Sequence, residues 1–230
     1  MRERLDISAY LVIGPENTCG RELPEVVRDA VRAGFTCVQI RSKECSAREL
    51  IDLTADAARV IDEEGRSDTV ALLVDDRLDV VLAAREAGVK VDGVHVGQSD
   101  VPVEVCRKLL GPDAIVGLSA RASEMLAYVR DADVSCVDYF GVGPLHETET
   151  KRDCGLDADG NIIVRTLAEI AELERVSPLP IVVGGGVKSG DLSALRETGV
   201  AGFFVVSAVC SAPDPYEAAC ELVSAWGAAR

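Results

Sequence analysis

Eight short runs rich in β-branched and apolar residues recur along this chain, each followed by a longer segment with helical spacing. That alternation limits the fold more than any other feature. The runs are Ala9 to Gly14, Cys37 to Arg41, Val70 to Asp75, Gly93 to Gly97, Ile115 to Ser119, Cys136 to Val142, Pro180 to Gly184 and Gly202 to Ser207. Runs of this length between helical segments are the pattern of parallel strands joined by crossover helices. Leu23 to Ala33 illustrates the helical part: Val26, Val27, Ala30 and Val31 make an apolar stripe against Glu25, Arg28, Asp29 and Arg32. Leu50 to Ile61 and Leu78 to Ala87 repeat it. Glycines at 34, 65, 88, 111 and 199 stand where helices should stop, because a left-handed residue there needs no Cβ.

Eight β/α units in 230 residues predict a single-domain α/β fold over 1–230, a closed (β/α)8 TIM barrel. An open flavodoxin-like or Rossmann sheet is the competing architecture. Its dinucleotide fingerprint would sit in the first βα turn, and Ile13-Gly14-Pro15-Glu16-Asn17 lacks it.

Charge narrows the function. With 39 acidic residues against 24 basic ones the formal net charge is −15, so the surface repels nucleic-acid phosphates and anionic membranes. An anionic ligand could bind only where cations, a metal or backbone N–H groups are concentrated locally. The eight cysteines contain no C-x-x-C pair, which disfavours zinc and thioredoxin-like chemistry. They are expected to be mostly buried core thiols in a reducing cytoplasm. Met1-Arg2-Glu3-Arg4 is charged and no apolar stretch reaches membrane-span length, so a soluble, cytoplasmic protein is expected. A homo-oligomer is left open.

In a barrel, chemistry gathers where strands end. The second run closes on Gln39, Arg41 and Lys43, whose alternate spacing puts three polar side chains on one face of an extended chain. They suit phosphate or ring atoms, or they are a solvated strand end with salt bridges. Asp76 and Asp100 follow the third and fourth runs and could share one hard cation, Mg2+, whose other positions go to water and substrate phosphates. Otherwise Asp76 pairs with Arg77 or caps the next helix, and Asp100 caps the helix that begins near Pro102. Thr148, Thr150 and Lys151 lie on the long polar connection from Gly143 to Asn161 and could clamp a pyrophosphate, or be an ordinary solvated loop. The turns after the seventh run, Gly184-Gly185-Gly186, and the eighth, Val206-Ser207-Ala208, fit a barrel phosphate site built from backbone N–H groups.

Taken in order, Gln39-Ile40-Arg41-Ser42-Lys43, Asp76-Arg77, Gly93 to Asp100, Gly117-Leu118-Ser119, Asp138 to Pro144, Thr148-Glu149-Thr150-Lys151, Gly184-Gly185-Gly186 and Val206-Ser207-Ala208 resemble the thiamine-phosphate synthase family. The likeness spans Tyr10 to Ala208. It implies a transferase that joins 4-amino-5-hydroxymethyl-2-methylpyrimidine diphosphate to hydroxyethylthiazole phosphate, releasing pyrophosphate and leaving thiamine phosphate. In such enzymes the bond to pyrophosphate breaks early and the thiazole nitrogen captures a pyrimidine cation.

The resemblance further implies that Gln39, Arg41, Lys43 and Asp75 meet the pyrimidine diphosphate. Asp76 and Asp100 would hold Mg2+, and Ser119 and Lys151 would complete the leaving-group site as its catalytic pair. Thr148, Thr150, Gly186, Val206 and Ser207 would hold the thiazole phosphate. Two positions depart from the pattern: Asp75 stands where asparagine is common, and Arg121 where a histidine is common. A thiazole tautomerase of the same fold is thought to use a histidine in this region, so Arg121 speaks against that alternative. A second alternative, a barrel that binds phosphorylated ligands without turnover, has no need of a leaving-group lysine beside paired carboxylates.

Overall fold

The computed structural model describes residues 1–121, 124–148 and 162–227. Its strands are β1 (Ala9–Ile13), β2 (Cys37–Ile40), β3 (Ala71–Asp75), β4 (Gly93–Val96), β5 (Ile115–Ser119), β6 (Tyr139–Val142), β7 (Ile181–Val183) and β8 (Gly202–Val205). All pair in parallel with their sequence neighbours, and β8 returns to β1 to close the barrel. The helices are α1 (Leu23–Ala33), α2 (Ala47–Glu63), α3 (Leu78–Glu86), α4 (Val103–Leu110), α5 (Met125–Asp131), α6 (Leu167–Val176), α7 (Leu192–Glu197), α8 (Ser207–Cys210) and α9 (Pro215–Gly227). The TIM barrel expected from the alternation is therefore the fold. None of the described helices is long and apolar enough to cross a membrane.

Strand parity divides the core into two layers. Along β1, Tyr10 and Val12 join an inner cluster with Cys37, Ala71, Leu73, Ile115, Tyr139 and Val182, while Ala9, Leu11 and Ile13 face the helices. α1 lays Leu23, Val26, Val27, Ala30 and Val31 on the outer layer, each no more than 3% exposed. Burying a side chain of this kind stabilises by roughly 1.5–3 kcal/mol. All five glycines expected to end helices have positive φ, and at Gly34 the left-handed cap returns its N–H to Ala30 and Val31.

Helix starts depend on side-chain caps. α2 begins at Ala47 instead of Leu50 because Ser46 and Glu49 form a reciprocal capping box, with Ser46 N donating to Glu49 Oε2 at 2.7 Å and Glu49 N to Ser46 Oγ at 3.3 Å. Thr166 and Glu169 start α6 in the same way. The strand expected from Cys136 begins only at Tyr139, since Val137 N closes a turn on Val134 O at 3.0 Å. Nor does β8 reach Ser207: the chain turns into α8, and Cys210 N donates to Val206 O at 2.9 Å.

The base of the barrel is closed by carboxylates. Asp138 Oδ2 accepts from Val116 N and Arg107 Nη2, both at 2.7 Å, and Asp138 Oδ1 accepts from Arg2 Nε at 2.6 Å. Asp92 Oδ2 likewise accepts from Leu72 N at 2.8 Å and Lys90 Nζ at 2.7 Å. One cysteine expectation is corrected. Among the described thiols Cys37, Cys106 and Cys210 are buried, Cys45, Cys136 and Cys220 are half-buried, and Cys19 is exposed, so most are not core residues. Cys136 lies in the turn before β6 and Cys19 in the turn after β1, outside the packed layers. Cys154 lies outside the described residues.

Candidate active site

A cavity of about 760 Å³ opens at the carboxyl ends of the strands. Every expected site residue within the described chain lines it: Gln39 in β2, with Arg41 and Lys43 just beyond it; Asp75 at the end of β3, with Asp76 after it and Asp100 after β4; Ser119 at the end of β5. Thr148, Gly186, Val206 and Ser207 line the opposite side. Thr150 and Lys151 lie outside the described residues.

The cationic side is paired with carboxylates. Arg41 Nε stands 2.9 Å from Asp75 Oδ2, and Lys43 Nζ donates to Asp76 Oδ2. Although β2 ends at Ile40, Arg41 N still donates to Ile13 O at 2.8 Å, which carries the extended parity past the strand end. Gln39 points deeper and donates from Nε2 to Tyr10 Oη at 2.9 Å.

Neither a pair with Arg77 nor a cap of α3 or α4 accounts for Asp76 and Asp100, since neither helix has a side-chain cap. Arg77 is held by Asp79, with Nη2 and Oδ2 2.6 Å apart, instead of by Asp76. α4 is preceded by Pro102 with no side-chain cap, and Asp100 Oδ2 instead accepts from Gly97 N at 2.8 Å. Asp76 adopts φ 58°, a left-handed conformation that costs a residue with a Cβ roughly 1–2 kcal/mol. Its N–H donates to His95 O at 2.7 Å, which holds it in place. Burial, and next the hydrogen bond with Asp76, push the Asp100 carboxyl above its ordinary range. Two carboxylates set this close are a donor set a hard divalent cation would relieve. Among the described residues no three or more His, Cys, Asp or Glu side chains gather into a metal cage, so any further ligands would be waters or substrate oxygens.

On the β7 and β8 side of the cavity Gly186 is required twice over. Its φ of 72° is left-handed, and a Cβ there would sit 2.8 Å from His146 Cβ. The turn after β7 is thereby pressed against the segment that carries Thr148. Lys188 also lines the cavity beside it.

The sequence reading gave no role to His95, Tyr10, Tyr139 or Gln98. His95 Nδ1 lies 2.9 Å from Tyr139 Oη, and His95 Nε2 lies 3.0 Å from Ser119 Oγ. Gln98 Nε2 donates to Ser119 O at 2.7 Å and to Tyr128 Oη at 2.9 Å, while the Arg121 guanidinium rests 5.5 Å from the Tyr128 ring centroid. Parity was the missed signal: Tyr10, Gln39, His95, Ser119 and Tyr139 all occupy inward positions on their strands.

Comparison with known proteins bears on the family and the fold. Residues 9–209 match the family model described as thiamine monophosphate synthase. The thiamine-phosphate synthase of Corynebacterium efficiens is 39% identical over 230 residues, covering 100% of both chains. That of Laribacter hongkongensis is 37% identical over 99% of each. Among solved structures, thiamine phosphate pyrophosphorylase from Pyrococcus furiosus superposes with a TM-score of 0.78 at 27% identity, covering 99% of this chain and 98% of its own. A 3-hexulose-6-phosphate synthase, at 17% identity and a TM-score of 0.62, shares the fold. The full-length similarity and the matched model place this chain in the thiamine monophosphate synthase family.

Proposed function

We propose that this protein is a thiamine-phosphate synthase, a transferase that joins 4-amino-5-hydroxymethyl-2-methylpyrimidine diphosphate to hydroxyethylthiazole phosphate and releases pyrophosphate. The observation that carries the reading is the gathering of Arg41, Lys43, Asp76, Asp100 and Ser119 on one side of the cavity, with Thr148, Gly186, Val206 and Ser207 on the other. Two anionic substrates need two separate phosphate sites whose reacting ends face each other, and this cavity offers two such walls.

Each group then has a physical task. Arg41 and Lys43 face the diphosphate, and Gln39 holds the floor beneath the pyrimidine. Asp75 keeps the Arg41 guanidinium in position. Asp76 and Asp100 would hold Mg2+, which when bound offsets negative charge on the diphosphate. Ser119 and Lys151 meet the leaving group, where negative charge grows as the carbon–oxygen bond breaks. Thr148, Thr150 and the backbone of Gly186, Val206 and Ser207 hold the thiazole phosphate. Closing the two rings against each other keeps water from the pyrimidine cation.

The test is incubation of the protein with both substrates and Mg2+, followed by mass detection of thiamine phosphate and assay of pyrophosphate. Both products should appear only when both substrates are present. Pyrophosphate release from the pyrimidine diphosphate alone at the same rate, or uptake of a ligand without turnover, refutes the synthase reading.

A further inference from the structure

Along the cavity floor, where Tyr10, Gln39, His95 and Ser119 line it, a single file of hydrogen bonds crosses the inside of the barrel. Gln39 Nε2 lies 2.9 Å from Tyr10 Oη, Tyr10 Oη 2.9 Å from Tyr139 Oη, Tyr139 Oη 2.9 Å from His95 Nδ1, and His95 Nε2 3.0 Å from Ser119 Oγ. It links β2, β1, β6, β4 and β5, and all members except Ser119 are buried. Within such a file every proton needs an acceptor, because a buried orphan costs about 1–3 kcal/mol.

The direction follows from one end. An amide nitrogen only donates, so Tyr10 Oη accepts from Gln39 and its own proton goes to Tyr139. Tyr139 Oη, already accepting, gives its proton to His95 Nδ1. A neutral imidazole that accepts at Nδ1 carries its proton on Nε2 and donates it to Ser119 Oγ. The Ser119 hydroxyl proton is then left to point away from His95, toward the cavity that Ser119 lines. An imidazolium does not fit, since Tyr139 would receive from both neighbours and its own proton would have no acceptor in the file. Burial holds both phenols well above their ordinary values, so each keeps the proton the file requires.

The backbone is shaped around this file. A Cβ at Gly117 would overlap the Tyr139 phenol and His95 Nδ1, and one at Gly141 would stand 3.0 Å from His95 Cε1. The two glycines on β5 and β6 leave the space in which tyrosine and histidine meet.

We infer that Tyr139, backed by Tyr10 and Gln39, is a positioning residue that fixes His95 as the Nε2–H tautomer and so commits the Ser119 hydroxyl to donate into the cavity. Resting on the proposed function, the acceptor of that donated bond is an oxygen of the departing diphosphate. An acceptor-oriented serine would instead present lone pairs to an anion. Ser119 is the residue in contact with substrate, and Tyr139 acts on it through His95.

Two measurements on the full-length protein test this. The chain has two histidines, His95 and His146, so a long-range proton–nitrogen-15 spectrum of labelled wild type, with a His146→Gln variant for assignment, reads the His95 tautomer directly. An Nε2–H imidazole near pH 7.5 is expected. An Nδ1–H tautomer would mean that the file runs the other way, and overturns the inference whether or not the protein turns over. The second measurement compares Tyr139→Phe with wild type. The tautomer should become mixed or reverse, and kcat should fall about tenfold, the scale of losing a residue that orients an active-site ligand from behind, with KM nearly unchanged. A changed tautomer with unaltered kcat removes the positioning role. A confirmed tautomer in wild type with no pyrophosphate release from either substrate mixture leaves the file standing and rejects the synthase reading instead.

Discussion

The Arg41 guanidinium is held 2.9 Å from the Asp75 carboxylate, with the two side chains 16% and 4% exposed. A cation at the cavity wall is therefore partly neutralised before any diphosphate arrives. Asp75→Asn should lower the melting temperature of the free protein, because it leaves Arg41 less well paired. It should also enlarge the rise in melting temperature caused by the pyrimidine diphosphate, because the freed charge then goes to phosphate. Thermal melts of both proteins with and without this ligand check it. Equal ligand-induced rises would show that Arg41 does not reach the diphosphate.

Asp76→Asn and Asp100→Asn should each raise the Mg2+ concentration needed for half-maximal turnover about tenfold, the equivalent of about 1.4 kcal/mol, and the double variant should be inactive but folded. Asparagine keeps the shape and one oxygen while removing a charge, so circular dichroism should be unchanged. Activity titrated with Mg2+ decides, and wild-type curves for both single variants would dismiss the metal assignment.

Gly186→Val should impair use of the thiazole phosphate more than that of the pyrimidine diphosphate. The cause is steric as well as local: a β-branched residue resists φ 72°, and its Cβ would push on His146 and displace the segment leading to Thr148. Calorimetric affinities for the two ligands check this. Equal losses in a folded variant would contradict a separate thiazole site.

Lys151→Ala should lower kcat by about 2–4 kcal/mol of activation free energy, the range for removing one group that stabilises charge only as it develops, with a smaller effect on KM. Steady-state kinetics suffices. A raised KM at constant kcat would assign the lysine to ground-state binding alone.

At the opposite end of the barrel, Arg107→Ala should destabilise by about 3 kcal/mol, the low end for removing one partner of a buried ion pair, since Arg2 still faces Asp138. Denaturant titration reads the loss. Because Asp138 lies beneath the barrel floor, kcat of the folded variant should match wild type, and a large kcat change would mean that the base and the cavity are coupled.

The parts of this molecule that repeat were legible in its sequence, and the parts that depend on meetings across the barrel were not. Leu23 to Ala33 announced α1 with its bounds, because an apolar stripe and a closing glycine both act locally. The end of β2 was equally readable from the parity of Gln39, Arg41 and Lys43. Asp100 was ambiguous because helix caps and metal ligands use the same residue types, and the placement of its Oδ2 on Gly97 N removes only the cap of α4. Tyr10, His95 and Tyr139 gave no signal as a group. They lie 129 residues apart at the extremes, on strands that become neighbours across the barrel interior only after it closes. Asp138, in the segment from Asp138 to Pro144 that resembles the family, anchors strand starts at the base.

Closure by β8 against β1 also has a consequence for how the polypeptide can be made. Tyr10 is registered with Phe204 and Leu11 with Val205, so β1 waits for a partner almost two hundred residues downstream. As the nascent chain leaves the ribosome, β1 has one flank satisfied by β2 and the other bare. An apolar strand with open N–H and C=O groups is a template for pairing with another chain. The nascent protein is thus most exposed to misassembly just before its last strand emerges, and the interior phenol pair cannot be sealed from water until that strand docks.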